Sequence, residues 1–300
     1  MNPRAPQALK RSLNALLRAE AARRGREQQH LMRELFLQVF LGRVFSAEEG
    51  DLVLKGGSSL VTRLPDARYS QDIDLLHLSS DLTAAAELEG VVDDHAGRDP
   101  FTFLITKKER FQGNTTGMKI TVEARCGPLL MTRFPIDLST ERVPIGDIEL
   151  YTPRPVIDLP EIAPYPQFAL YPLPQQVADK LCAMYERHGR DGTAPSSRYR
   201  DLVDLVLIID TWTLRADHLT AALRSEAQRR QLTLPTSVIA PGPQWPTGYA
   251  ATAKTVAALS PTARTIDQAL NTVGRCLNPI LDGTVSDGTW DPATSTWNTG

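Results

Sequence analysis

The chain has 300 residues, enough for one large domain or two modest ones and for a core that needs no disulfide staples. With 42% hydrophobic and 23% charged residues and a formal net charge of -2, it is neither a disordered segment nor a uniformly basic nucleic-acid coat. No stretch approaches the roughly 18 apolar residues of a membrane span, and Cys126, Cys182 and Cys276 are too scattered for a zinc site or a disulfide framework. The N-terminal arginines are not followed by an apolar run, so no secretory signal is expected and the protein reads as cytoplasmic.

Leu9, Leu13, Leu16, Leu17 and Ala21 recur at helical spacing over residues 7–24, and a second helical pattern after Gly25 runs through Leu31, Leu35, Val39 and Phe40. Residues 1–50 carry nine Lys/Arg against five Glu, an excess that suits a solvated helix face or an anionic partner. From Asp51 the texture becomes β-like: Leu52–Leu54, Ile73–Leu78, Phe101–Thr106, Met118–Ala124 and Phe134–Leu138. A helix over 82–92, capped by Ser80 or Asp81, separates two of these runs. Eight prolines between 144 and 174 exclude a regular helix there and place the domain junction in that stretch. Beyond it the pattern is helical at 175–188, 199–211, 215–231, 248–259 and 261–281, ending in a polar, loosely held tail from Gly283 to Gly300.

The sharpest chemical signal is Leu54-Lys55-Gly56-Gly57-Ser58-Ser59-Leu60 followed by Ser70-Gln71-Asp72-Ile73-Asp74-Leu75. Glycines let backbone N–H groups approach a ligand, and the start of the following helix favours phosphate. In a strand, Asp72 and Asp74 share a face, and two adjacent carboxylates repel unless a cation sits between them. A hard divalent ion answers that need, Mg²⁺ typically taking one or two carboxylates together with substrate phosphates. The apolar residues Ile73, Leu75 and Leu76 argue against a fully solvated strand.

This order of parts resembles the DNA polymerase β-type nucleotidyltransferase superfamily, and the fuller string is similar to the AbiEii group with its MenT-type toxins. The 13 residues between Ser58 and Asp72 are a slightly longer spacer than is usual there. The resemblance implies a third carboxylate on a later strand, matched to Asp137 with Glu123 as rival. It also implies a lysine and an Arg-Asp pair in the helical half, matched to Lys180, Arg200 and Asp201. On that basis Asp72, Asp74 and Asp137 would bind Mg²⁺ or Mn²⁺, with Lys180 and Asp201 completing the catalytic set. Lys55, Gly57, Ser58, Ser70, Lys180 and Arg200 would hold the nucleotide.

The expected fold is α/β (α+β). A nucleotidyltransferase-like mixed sheet with flanking helices would occupy residues 1–160, and a mostly helical domain would fill 161–300 and contribute nucleotide and acceptor contacts. The expected activity is transfer of a nucleoside monophosphate from an NTP to RNA, favouring the tRNA 3′ end, in a system with a cognate antitoxin. A protein or small-molecule acceptor, or a non-catalytic RNA- or partner-binding module, is the alternative. Arg187, His188, Arg190, Arg198 and Arg200 around Lys180, with Lys107, Lys108 and Arg110, suit an RNA backbone.

Overall fold

The computed structural model describes residues 5–46, 50–79, 81–93, 97–111, 116–140, 143–189 and 191–299. Ser80 and Arg190 lie outside them. The chain divides into two units. The first comprises Met1–Pro65, Tyr69–Val143 and Ile148–Leu170; the second comprises Asp66–Arg68, Pro144–Asp147 and Tyr171–Gly300.

In the first unit, α1 (Pro6–Arg24) ends where Gly25 takes a left-handed φ of 62°. It buries Leu9, Leu13, Leu17 and Ala21, whereas Leu16 is exposed, because a helix this narrowly striped has one inward face. Next, α2 (Gln28–Val44) is buried along most of its length, with Phe36 and Phe40 packed edge-on against Phe101, Phe103 and Phe134. Its Arg43 enters this apolar region only because both oxygens of Asp99 and the carbonyl of Phe101 receive its guanidinium.

The remaining elements of this unit are β1 (Leu52–Lys55), α3 (Gly56–Arg63), β2 (Ile73–His77), α4 (Asp81–Asp93), β3 (Thr102–Arg110), β4 (Gly117–Cys126), β5 (Leu129–Ser139), β6 (Glu149–Tyr151) and β7 (Phe168–Leu170). The strands form one mixed seven-stranded sheet in the order β3-β4-β5-β2-β1-β7-β6. The pairs β2–β5 and β1–β7 are parallel and the others antiparallel. Burial of Ile73, Leu75, Ile136 and Leu138 fixes the register at the sheet's centre, since a one-residue slip would expose all four.

The second unit contains α5 (Leu173–Tyr185), the short hairpin β8 (Arg187–His188) and β9 (Ala194–Pro195), α6 (Tyr199–Thr211), β10 (Leu214–Arg215), α7 (Ala216–Arg229), α8 (Trp245–Ala253), a 3₁₀ turn at Pro261–Ala263, α9 (Ile266–Leu281), β11 (Thr289–Asp291) and β12 (Thr296–Asn298). Helix α6 is buried from Asp201 to Ile209, as an almost unbroken apolar run requires. The chain's end differs from the expected loose tail: β11 and β12 form a hairpin paired to β10. Trp290 explains the difference, being buried with its indole N–H donating to the carbonyl of Ile209 at 2.9 Å. Among the described residues no helix is long and apolar enough to cross a membrane.

Candidate active site

Strand pairing places Glu109, Lys119, Asp137, Asp74 and Lys55 in one row across β3, β4, β5, β2 and β1. Cross-strand partners point to the same face. Two carboxylates therefore stand side by side at the centre of the sheet with a lysine on either flank. Lys119 Nζ is 3.4 Å from Asp137 Oδ1. That oxygen is buried and accepts no hydrogen bond. Glu123, the rival third carboxylate, is committed elsewhere: Arg125 and Arg133 each contact it at 2.7 Å, and Arg125 foremost holds its carboxyl below the ordinary range.

Gly56 is the glycine on which this arrangement turns. Its φ is +63°, and a Cβ placed there would lie 2.0 Å from Asp74 Oδ2. The space that any other residue's side chain would fill is occupied by the Asp74 carboxylate. Gly56→Ala should therefore cost about 1–2 kcal/mol of stability from the left-handed backbone alone and displace Asp74 as well. A thermal melt and a transfer assay on the same preparation check both effects.

Asp72 sits in the bend that enters β2, two residues before Asp74. Two serines hold it: Ser70 Oγ donates to its Oδ1 at 3.2 Å, and the Ser58 hydroxyl donates to its backbone carbonyl. The Ser58 proton is thus spent on the chain. Its part in any phosphate site falls to the backbone N–H groups of the first turn of α3, which point along the helix axis without intrahelical acceptors. Ser70 likewise acts through Asp72. Ser59 receives a hydrogen bond from Arg63 Nη1 at 2.5 Å.

In the second unit Lys180 is buried on α5, with Nζ 2.5 Å from Asp204 Oδ2 and 3.5 Å from Asp201 Oδ1. Arg68 grips both oxygens of Asp204 at 2.8 Å, and Arg198 Nε lies 2.7 Å from Asp201 Oδ2. Three cations thus meet two anions, an excess of one positive charge. Burial alone would raise the Asp204 carboxyl, but Lys180 and Arg68 outweigh it and hold the group below its ordinary value. Arg200 is exposed at the start of α6, as are Arg187, His188 and Arg198 nearby in sequence. Lys107 and Lys108 on β3 already pair with Glu109 and Glu89. Asp204 and Arg68 were not singled out as site residues from sequence. A lone aspartate within Leu202-Val203-Asp204-Leu205-Val206 is the signal that could have found the first, because a charge in such a run must be partnered.

These features match a known group. A family model described as the nucleotidyl transferase AbiEii toxin of type IV toxin–antitoxin systems fits residues 39–272. The chain belongs to the AbiEii nucleotidyltransferase toxin family. As a member it is a nucleotidyltransferase, with an NTP as substrate and a cognate antitoxin implied by the family. Among solved structures it is similar to MenT4, a nucleotidyltransferase toxin of Mycobacterium tuberculosis, with 19% identity, a TM-score of 0.56, and coverage of 93% of this chain and 90% of that one. That likeness establishes the mixed α/β fold. JHP933 from Helicobacter pylori is also similar, at 13% identity and a TM-score of 0.48, covering 86% and 95% of the two chains. No curated protein matches the chain.

The donor set of this row could take a divalent cation. Asp74 and Asp137 present oxygen ligands side by side, and the buried Asp137 Oδ1 accepts no hydrogen bond, its ion-pair contact being Lys119 Nζ at 3.4 Å. Among the described residues no group of three or more His, Cys, Asp or Glu side chains is gathered as a metal cage. The AbiEii site therefore offers a carboxylate pair with Asp72 close by in sequence, a set that hard cations complete with substrate phosphate oxygens.

Proposed function

We propose that this AbiEii-family protein uses a divalent cation, Mg²⁺ or Mn²⁺, to transfer a nucleoside monophosphate from an NTP to RNA. The tRNA 3′ end is the favoured acceptor, and its modification would block translation. The observation that carries the chemistry is the Asp74–Asp137 pair on adjacent parallel strands, set against a glycine that leaves room for one of them. The exposed basic residues at the start of α6 and in the hairpin before it support an anionic acceptor.

Asp74 and Asp137 would hold the cation, with Asp72, two residues before Asp74, assigned to join them once the nucleotide is bound. When bound, the cation neutralises charge on the triphosphate and makes the acceptor hydroxyl more acidic. The acceptor oxygen attacks the α-phosphorus in line while the bond to the β-phosphate oxygen breaks, and pyrophosphate leaves. Asp137 is the carboxylate assigned to take the acceptor's proton, since its Oδ1 has no hydrogen bond to give up. Backbone N–H groups of Gly57 and Ser58 are assigned to phosphate oxygens, with Lys55 adding charge at the end of β1. In the helical unit Lys180 is assigned charge for the β/γ-phosphates, Asp201 the orientation of that lysine, and Arg200 a further cation.

The test is incubation of the purified protein with total bacterial tRNA, Mg²⁺ and each α-phosphate-labelled NTP in turn, read on a denaturing gel. A labelled tRNA band, absent with Asp72→Ala, is the expected result and names the nucleotide. Label on protein or on a small molecule would keep the chemistry and discard the RNA acceptor. No label with any acceptor would discard the reading.

A further inference from the structure

The first unit holds a groove of about 600 Å³, lined by α1, α2, β5 and the segment leading to Asp72. Its volume is that of a small-ligand site. Its chemistry is unlike that of an apolar cofactor pocket. The rings of His30 and Tyr69 stack 4.0 Å apart at an interplanar angle of 17°. Lys10 and Arg33 bring positive charge, and Gln29 and Gln71 bring amides that both donate and accept. The groove runs up to Gln71, the residue immediately before Asp72.

Several cations of this unit are neutralised by carboxylates. Arg26 pairs with Glu34, Arg43 with Asp99, and Arg63 with Glu149. Among the described residues neither Lys10 nor Arg33 forms an ion pair with a carboxylate, although the Tyr69 hydroxyl faces Arg33. Unspent positive charge beside a half-buried aromatic pair and a set of amides is the recognition chemistry of an unpaired nucleotide: phosphate, base face and base edge. A duplex would present no free base face to such a platform.

We propose that this groove binds the single-stranded end of the nucleic-acid acceptor and delivers it to the Asp72–Asp74 segment. Lys10 and Arg33 hold phosphates, the His30–Tyr69 pair stacks a base, and Gln29 and Gln71 contact base edges. The proposal rests on the RNA-acceptor reading given above.

The test is fluorescence anisotropy with a short fluorescein-labelled single-stranded RNA, titrated with the full chain across a range of salt. Tyr69→Ala should weaken binding about tenfold, as loss of one stacked base does, and Tyr69→Phe should restore it. Arg33→Gln should reduce the slope of log affinity against log salt by about 0.7, the value for one phosphate on a single strand. If Tyr69→Ala does not fold, Gln29→Glu, a change at an exposed position that puts a negative charge in the groove, should weaken binding instead. Unchanged affinity and slope in these variants, with tight binding by the original protein, would overturn the groove and leave the RNA reading standing. Equal competition by blunt duplex RNA would overturn it too. No binding of any RNA by the original protein would overturn the RNA reading and the groove with it.

Discussion

Asp137→Asn should lower nucleotidyl transfer at least a hundredfold while leaving the protein as stable as before, or slightly more so. A hundredfold loss corresponds to about 2.7 kcal/mol of transition-state stabilisation, a modest demand on a carboxylate assigned both to the cation and to the acceptor proton. The stability half follows from the sheet. Asp74 and Asp137 are direct neighbours on parallel strands, and like charges in that relation oppose folding by roughly 0.2–1 kcal/mol. Removing one charge relieves that repulsion, although Lys119, 3.4 Å from Asp137 Oδ1, loses a partner and offsets part of the gain. The asymmetry marks a functional site, where stability is given up for chemistry. Adding Mg²⁺ at about a hundred times its dissociation constant should stabilise the original protein by about 2.7 kcal/mol and raise its Tm by several degrees. Asp137→Asn should lose most of that rise. A variant that melts many degrees lower even without Mg²⁺, its activity gone for that reason, would mark Asp137 as structural and sink the assignment.

Much of the element list was legible in the sequence, and the reasons are local. Leucine periodicity gave the first helix, and short β-branched and aromatic runs gave the sheet strands, because both signals depend on neighbours within one or two turns of chain. The motif also brought the Gly-Ser turn and the Asp-x-Asp strand together, since β1 and β2 are consecutive antiparallel neighbours and Gly56 lies against Asp74. What could not be read was long-range. That β5, rather than β4, would lie beside β2 depends on strand order, and with it the choice between Asp137 and Glu123. Arg68 and Asp204 meet across 136 residues, a distance over which no periodicity speaks. The C-terminal hairpin was hidden for a different reason: its residues are polar by composition, and one buried tryptophan ties it down. The groove beside Tyr69 draws on α1, α2 and β5 together, so no single window of sequence contains it.

Asp204→Ala should be strongly destabilising, at about 3–5 kcal/mol, because it removes the buried anion that Lys180 and Arg68 share and leaves Lys180 only Asp201 at 3.5 Å. The Asp204 side chain is fully buried, so solvent cannot substitute for it. A loss of that size should lower Tm by about 10 °C or more for a unit of this length. The same pairing predicts the acid limb of the stability curve. Asp204 titrates below its ordinary value in the folded protein, so the unfolded chain takes up a proton first as pH falls. Its contribution is complete above about pH 4 and is lost as pH drops further. Glu226 behaves likewise: burial would raise it, but hydrogen bonds from Arg229 and Asp179 and the charge of Arg230 outweigh that and bring it to about 2. Acid unfolding should therefore begin below about pH 4, and Asp204→Ala should flatten that limb as well as lowering it. Lys180→Met then separates two roles for the lysine. Arg68 still neutralises Asp204 in that variant, so a purely structural lysine would cost some stability and leave the KM for NTP unchanged. A lysine that carries charge for the triphosphate would raise that KM at least tenfold, about 1.4 kcal/mol of binding, whatever happens to the melt. An unchanged KM in a folded Lys180→Met protein would remove Lys180 from the nucleotide site and leave it as the cation that permits Asp204 to be buried.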